Sequence, residues 1–307
     1  MINHDETFNG TWPFKPNFFN GNGFKQHYID EGPKDGNPII MLHGEPTWGY
    51  IYRNFIPQLS EKYKVIVPDL MGFGKSETPQ DKEYTLKTHV ENLAGLINFL
   101  DLKNITFVGQ DWGGPITGAY SIRNIDRVKG YVLINTLFGY SKEERPKDLT
   151  PWFKWIKKHY EDETLEGILG ELSSTLLSVM KIPNFTNNHV INENWIKAYS
   201  SQFPDRASCK GAINFPLDAL LNRIVPYVIE GIKQGDLKSL CSKPAVLAYG
   251  MQDKAIEPDY AIRDFKSLFP GSKVVEMPNA GHYSQEDEPE TLVKIIKEFM
   301  LANENIK

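Results

Sequence analysis

One stretch constrains this chain more than any other. Ile105-Thr106-Phe107-Val108 reads as a buried strand, and Gly109-Gln110-Asp111-Trp112-Gly113 follows it without a gap. The small residues Gly114, Gly118 and Ala119, with Pro115 among them, then read as the first turns of a helix packed close on that strand. Strand, one-residue corner, helix is a demanding shape. Glycines on either side of the corner allow the turn that lifts the central side chain clear of the backbone. The side chain at the corner is a carboxylate, Asp111. Such a group cannot act as an alkoxide, but it can attack carbon and form an ester with the protein. That points to displacement at carbon, chiefly at carbon–halogen bonds and epoxides. A turn aspartate or a helix N-cap is the plainer alternative, and the rest of the chain decides between them.

The rhythm around this corner is that of a parallel sheet. Pro38–Leu42, Tyr63–Val67, Val128–Ile134 and Ala245–Tyr249 are short apolar runs of the kind buried on both faces, and Lys273–Met277 reads as a last strand. An earlier strand is read at Phe24–Asp30, and helical spacing is read over 51–59, 86–100, 260–269 and 289–301. From about 137 to 232 the alternation stops, leaving helical patches, prolines and clustered aromatics. The expected architecture is therefore an α/β-hydrolase fold: a mostly parallel sheet flanked by helices, with residues 1–136 and 233–307 as core and 137–232 as an inserted helical cap. Met1–Gly10 and the residues after Leu301 are expected to lack structure.

Composition excludes more than it selects. A net charge of −5 gives no electrostatic footprint for nucleic acid or an anionic membrane. The two cysteines, Cys209 and Cys241, are too few for a disulfide framework. No basic, apolar leader opens the chain, and no apolar run reaches the roughly 18 residues of a membrane span. A cytoplasmic enzyme is the expectation, with no metal and no organic cofactor.

In this fold the nucleophile, an acid and a histidine follow in that order along the chain. His282, in Asn279-Ala280-Gly281-His282-Tyr283 after the last strand, stands where the general base belongs. Asp253, in Gly250-Met251-Gln252-Asp253-Lys254, is the favoured acid. Asp69 and Asp259 are its rivals, the first read as a strand-end turn carboxylate and the second as a helix N-cap; Asn135-Thr136 leaves no carboxylate after Val128–Ile134. The loop His43-Gly44-Glu45-Pro46 follows the first apolar strand, so the amides of Glu45 and Trp112 are expected to form the oxyanion hole. The Glu45 side chain is a candidate for holding the attacking water, against the alternative of a plain loop glutamate.

Taken together, these segments resemble the haloalkane dehalogenases over nearly the whole chain. The similarity lies in His43-Gly44-Glu45-Pro46-Thr47-Trp48 with Tyr50-Ile51-Tyr52-Arg53, in Gln110-Asp111-Trp112-Gly113-Gly114, in Met251-Gln252-Asp253-Lys254, in Ala280-Gly281-His282, and in Phe203-Pro204-Asp205 with Phe215-Pro216. The resemblance implies a small apolar halogenated substrate, a halide ion as product, and two tryptophans that bind the halide. Trp112 is one. The second lies in the cap, where spacing to Phe203 favours Trp155 and leaves Trp152 in reserve; an indole N–H donates and has no acceptor function, which suits a halide. Phe203, Phe215 and Pro216 are expected in the pocket wall. A monomer is expected, although nothing in the sequence determines the oligomeric state. Epoxide hydrolases share the aspartate corner but use cap tyrosines, for which Tyr140, Tyr160 and Tyr199 are available. A β-lactone decarboxylase and a coelenterazine-type luciferase share the scaffold, and a catalytically silent ligand sensor is the reading from a different class. Trp112, where fluoroacetate dehalogenases carry arginine, separates the chain from that group.

Overall fold

A computed structural model describes residues 2–141 and 143–304. Its sheet has eight strands: β1 (Asn17–Phe19), β2 (Gln26–Glu31), β3 (Pro38–Leu42), β4 (Lys64–Pro68), β5 (Ile105–Gln110), β6 (Val128–Ile134), β7 (Ala245–Gly250) and β8 (Lys273–Met277). They lie in the order β1-β2-β4-β3-β5-β6-β7-β8. β1 and β2 run antiparallel at one edge, and every pairing from β4 to β8 is parallel. The continuous apolar runs of β5 and β7 are buried along their full length, as a parallel sheet covered by helices on both faces requires.

Topology then fixes where a ligand must sit. From β3 the chain crosses to β4 on one side, and it returns to place β5 on the other side of β3. At such a switch point the loops leaving the two strands diverge and open a crevice at their carboxyl ends. The residues there are His43-Gly44-Glu45 after β3 and Asp111 after β5.

Between β6 and β7 the described residues form seven α-helices, from Pro151–Glu161 to Leu237–Cys241. One of them, Val225–Gln234, is continuous through residue 232, so the boundary expected there falls inside a helix. It packs on the core, with Tyr227 O accepting from Arg123 Nη2 at 2.9 Å.

Three further expectations are corrected. Residues 2–10 are not loose: Ile2, Phe8 and Trp12 are buried, and Lys75 Nζ donates to the carbonyls of His4 and Glu6. The span 51–59 is not one helix but a 3₁₀ turn, Gly49–Tyr52, followed by the short helix Ile56–Leu59 with Pro57 in its first turn. Asp259 does not cap the helix Pro258–Leu268; Glu257 does, accepting from the amides of Asp259 and Tyr260. Of the expected loose end after Leu301, residues 305–307 lie outside the described residues. Among the described residues no helix is long and apolar enough to cross a membrane.

Candidate active site

Asp111 occupies a left-handed corner, with φ 49°. That backbone is strained for a residue with a Cβ, and the cost is met by surrounding contacts. Asp111 N donates to Asn135 O, and its carbonyl accepts from Thr136 Oγ1 at 2.5 Å. The flanking glycines serve close approach more than their own torsions. A Cβ on Gly113 would overlap the Leu42 carbonyl, and one on Gly44 would overlap Asp111 Oδ1. The loops after β3 and β5 therefore touch directly, and Glu45 N donates to Asp111 Oδ1 at 2.9 Å. In an ester of Asp111 formed through Oδ2, Oδ1 would be the carbonyl oxygen that takes negative charge when water adds.

The other carboxylate oxygen faces the histidine. His282 Nε2 lies 3.3 Å from Asp111 Oδ2, and His282 Nδ1 lies 2.9 Å from Asp253 Oδ2. The Asp253 carboxylate is held by four further donors. Asn135 Nδ2 (2.9 Å) and Tyr249 OH (3.3 Å) reach Oδ2; the amides of Ala255 (2.7 Å) and Ile256 (3.1 Å) reach Oδ1. Asn135 in turn accepts from Gly250 N and Ser284 Oγ. Asn135, which offers no carboxylate of its own, is thus a clamp on the acid. The rival acid Asp69 is fully buried elsewhere, occupied by His27 Nδ1, Gly49 N and Lys75 N. His43 also serves structure, accepting from Leu70 N at Nε2 and contacting Gly44 O through Nδ1.

Burial disfavours the charged form of His282, but the Asp253 and Asp111 carboxylates outweigh it and raise the imidazole to about 10. A histidine whose pKa rises on folding adds stability that is fully present below its unfolded value near 6.5 and is lost as pH rises through about 10. The melting temperature should therefore fall between pH 6.5 and 10 by more in the wild type than in His282→Gln. Parallel curves for the two proteins would show that the pair of carboxylates does not hold this proton. Burial, reinforced by Asp111, pushes the Glu45 carboxyl well above the usual carboxylate range.

A cavity of about 370 Å³ opens over Asp111. Glu45, Asp111, Trp112 and Thr136 form its inner end; Trp152, Pro216, Leu220, Val225 and Val228 are among its apolar walls; Arg145, Asp148 and Glu257 add charge to its lining. Trp152, not Trp155, faces it. The reason is the start of the helix Pro151–Glu161. Thr150 caps it and donates from Oγ1 to Ala255 O, while Trp152 N donates to Lys254 O. The helix is thus pinned by its first turn to the loop carrying Asp253, and Trp152 is presented to the site. Trp155 stacks on the Trp152 ring at 5.5 Å and packs at a tilt against His159 at 4.6 Å, outside the cavity.

Two expected wall residues are corrected in the same way. Phe215 stacks against Trp112 at 4.5 Å and supports the wall from behind, while Phe203 packs edge-on to Phe73, which stacks on Phe215, a layer further from the cavity. Pro216 does line it. None of the three candidate tyrosines reaches the cavity. Tyr199 is buried and donates to Glu286 Oε1 at 2.5 Å, Tyr160 is exposed, and Tyr140 is buried away from it. Among the described residues no group of three His, Cys, Asp or Glu side chains could hold a metal ion.

Comparison with known proteins agrees with this architecture. Residues 37–289 match the model of the alpha/beta hydrolase fold, and the chain belongs to that family. Within it, the chain is 31% identical over 287 residues to haloalkane dehalogenase 2 of Mycobacterium tuberculosis, covering 94% of this chain and 95% of that protein. It is also 30% identical over 301 residues to the cis-3-alkyl-4-alkyloxetan-2-one decarboxylase of Shewanella oneidensis, covering 96% and 91%. Among solved structures, the tetrameric haloalkane dehalogenase of Paraglaciecola agarilytica superposes with a TM-score of 0.75 at 28% identity, over 93% of this chain and 92% of that one.

Proposed function

We propose that the protein is a haloalkane dehalogenase of the cytoplasm, working without metal or organic cofactor, with the helices between β6 and β7 as its cap. The observation that carries this reading is the cavity itself. It holds a carboxylate seated against a backbone amide, two indole-bearing side chains, Trp112 and Trp152, and otherwise mainly apolar walls. Asp111 Oδ2 attacks the halogen-bearing carbon as the carbon–halogen bond breaks, and the halide leaves with the bonding pair. The indole N–H groups of Trp112 and Trp152 stabilise the charge growing on the halogen, in a pocket that offers little water to compete.

The ester has no net charge, so its formation removes one of the two carboxylates that keep His282 protonated. The imidazole sheds its proton and becomes the base. It takes a proton from a water held beside the Glu45 side chain, and the hydroxide adds to the ester carbonyl. The amides of Glu45 and Trp112 carry the oxyanion. Collapse expels the alkoxide, which takes the proton back from His282, and Asp111 regains its carboxylate by passing the second proton of that water to His282, which ends the cycle protonated as it began. The sum is haloalkane plus water giving alcohol, halide and a proton.

The choice of indole is directly testable. Trp152→Phe should slow bromoalkane turnover by about 10²–10³-fold, the usual cost of one preorganised donor, and weaken quenching of tryptophan fluorescence by iodide. Trp155→Phe should leave turnover nearly unchanged. The reverse pattern, read from halide release, would return the role to Trp155.

The second reading, a β-lactone decarboxylase, is favoured by the similarity to the Shewanella oneidensis protein. Bromoalkanes and a cis-dialkyl β-lactone offered separately to the pure protein distinguish the two. Halide release supports the first reading; carbon dioxide from the lactone with no halide release establishes the second.

A further inference from the structure

The loop between the helices Leu172–Lys181 and Glu193–Ser200 has no motif, and nothing in the attack chemistry requires it. Yet it touches both loops that carry the base and its partner. On the acid side, Pro183 O accepts from Lys254 N at 2.9 Å, and Asn184 Nδ2 donates to Gln252 O at 2.9 Å. These contacts sit on the two residues flanking Asp253. On the base side, Asn184 O accepts from His282 N at 2.8 Å, and Thr186 Oγ1 donates to Asn279 O at 2.5 Å. Asn184 makes its pair of contacts from a left-handed backbone, φ 84°, a conformation asparagine tolerates better than most residues. The approach is close enough that a Cβ on Gly281 would run into the Asn184 carbonyl.

One carboxylate closes this arrangement. Asp287 Oδ1 accepts from the amides of Thr186 and Asn187, both at 2.7 Å, and Asp287 Oδ2 accepts from Gly281 N at 2.7 Å. Pro183 and Phe185 are buried and anchor the loop, Phe185 with its ring 6.3 Å from that of Tyr283. Three backbone N–H groups from two separate segments thus converge on one side chain next to the histidine.

We infer that loop 183–187 is a strap setting the spacing between His282 and Asp253, and that Asp287 is a positioning residue for His282. The inference rests on the dehalogenase reading for its kinetic consequence. Asp111 attacks carbon without help from the base, so a slack strap leaves ester formation alone and slows only ester hydrolysis. A general loosening of the fold would instead slow both steps.

Asp287→Ala removes all three acceptor contacts; Asp287→Asn keeps one oxygen and should be intermediate. In Asp287→Ala the amides of Gly281 and His282 should lose hydrogen-exchange protection. The rapid first release of halide should match the wild type, while hydrolysis slows by about 10²-fold, the scale of a 1 Å misplacement, and the Asp111 ester accumulates. The inference is overturned if protection is retained, if the burst and hydrolysis slow together, or if hydrolysis is unaffected. If the wild type forms no ester at all, the exchange measurement still decides the strap, and it is the dehalogenase reading that has failed.

Discussion

His282→Gln should release one equivalent of halide per active site and then stop. The attack by Asp111 needs no proton transfer, so the alkyl ester forms; without an imidazole next to it no water is activated. Steady turnover should drop on the order of 10⁴-fold or more, the scale seen when the base of a triad is lost. Mass spectrometry of the stalled protein should place one alkyl group on Asp111. A full equivalent of product with Asp111 unmodified would exclude covalent catalysis. The geometry favours the stall over simple inactivation, because Glu45 N holds Asp111 Oδ1 independently of the histidine.

Asp253→Asn should be nearly as damaging, for a different reason. In the native site Asp253 Oδ2 is surrounded by donors alone: His282 Nδ1, Asn135 Nδ2 and Tyr249 OH. The other oxygen is committed to the amides of Ala255 and Ile256, so an asparagine that kept those two bonds would turn its NH₂ toward three further donors. The imidazole would then turn its unprotonated nitrogen to the amide, leaving a proton on Nε2 where a base is needed. Loss of activity on the order of 10⁴-fold is expected, with the ester again accumulating. Activity within a few-fold of wild type would mean that Asp253 does not set the tautomer.

Much of this site was legible in the sequence because its parts lie where strands end. A strand buried on both faces must be a continuous apolar run, so β3, β5, β6 and β7 could be read directly; the half-exposed edge strand β8 followed as the last step of the alternation, and the residues after these strands fell into register. Asp111, Glu45, Asp253 and His282 are all residues of that kind. The misreadings share another origin. Whether Trp152 or Trp155 faces the cavity depends on how the helix Pro151–Glu161 is rotated and where its end is tied, and Thr150 and the Lys254 carbonyl decide that across a hundred residues of chain. A Thr-Pro pair at the helix start was a usable sign, since it marks a capped first turn; counting back from Phe203 was not. Phe203 and Phe215 are large aromatic rings, and such rings serve as the layer behind a wall as readily as in it, as the stacking of Phe215 on Trp112 illustrates. Asn135 and the loop 183–187 carry no recognisable pattern. Their roles exist only in hydrogen bonds between segments distant along the chain.

The segment between β6 and β7 presents two kinds of surface with different freedom to vary. Ala219, Leu220, Ile224, Val225 and Val228 meet the cavity with aliphatic side chains alone, and an exchange among aliphatic residues there alters the shape of the space while leaving every polar contact around Asp111 in place. Residues 183–187 engage the core through backbone groups and a few fixed side chains. Over evolutionary time the first set can drift, letting descendants of one ancestor accept molecules of different length and bulk. The second set must be inherited nearly intact. A lineage built this way would diversify in what it takes up sooner than in how it reacts.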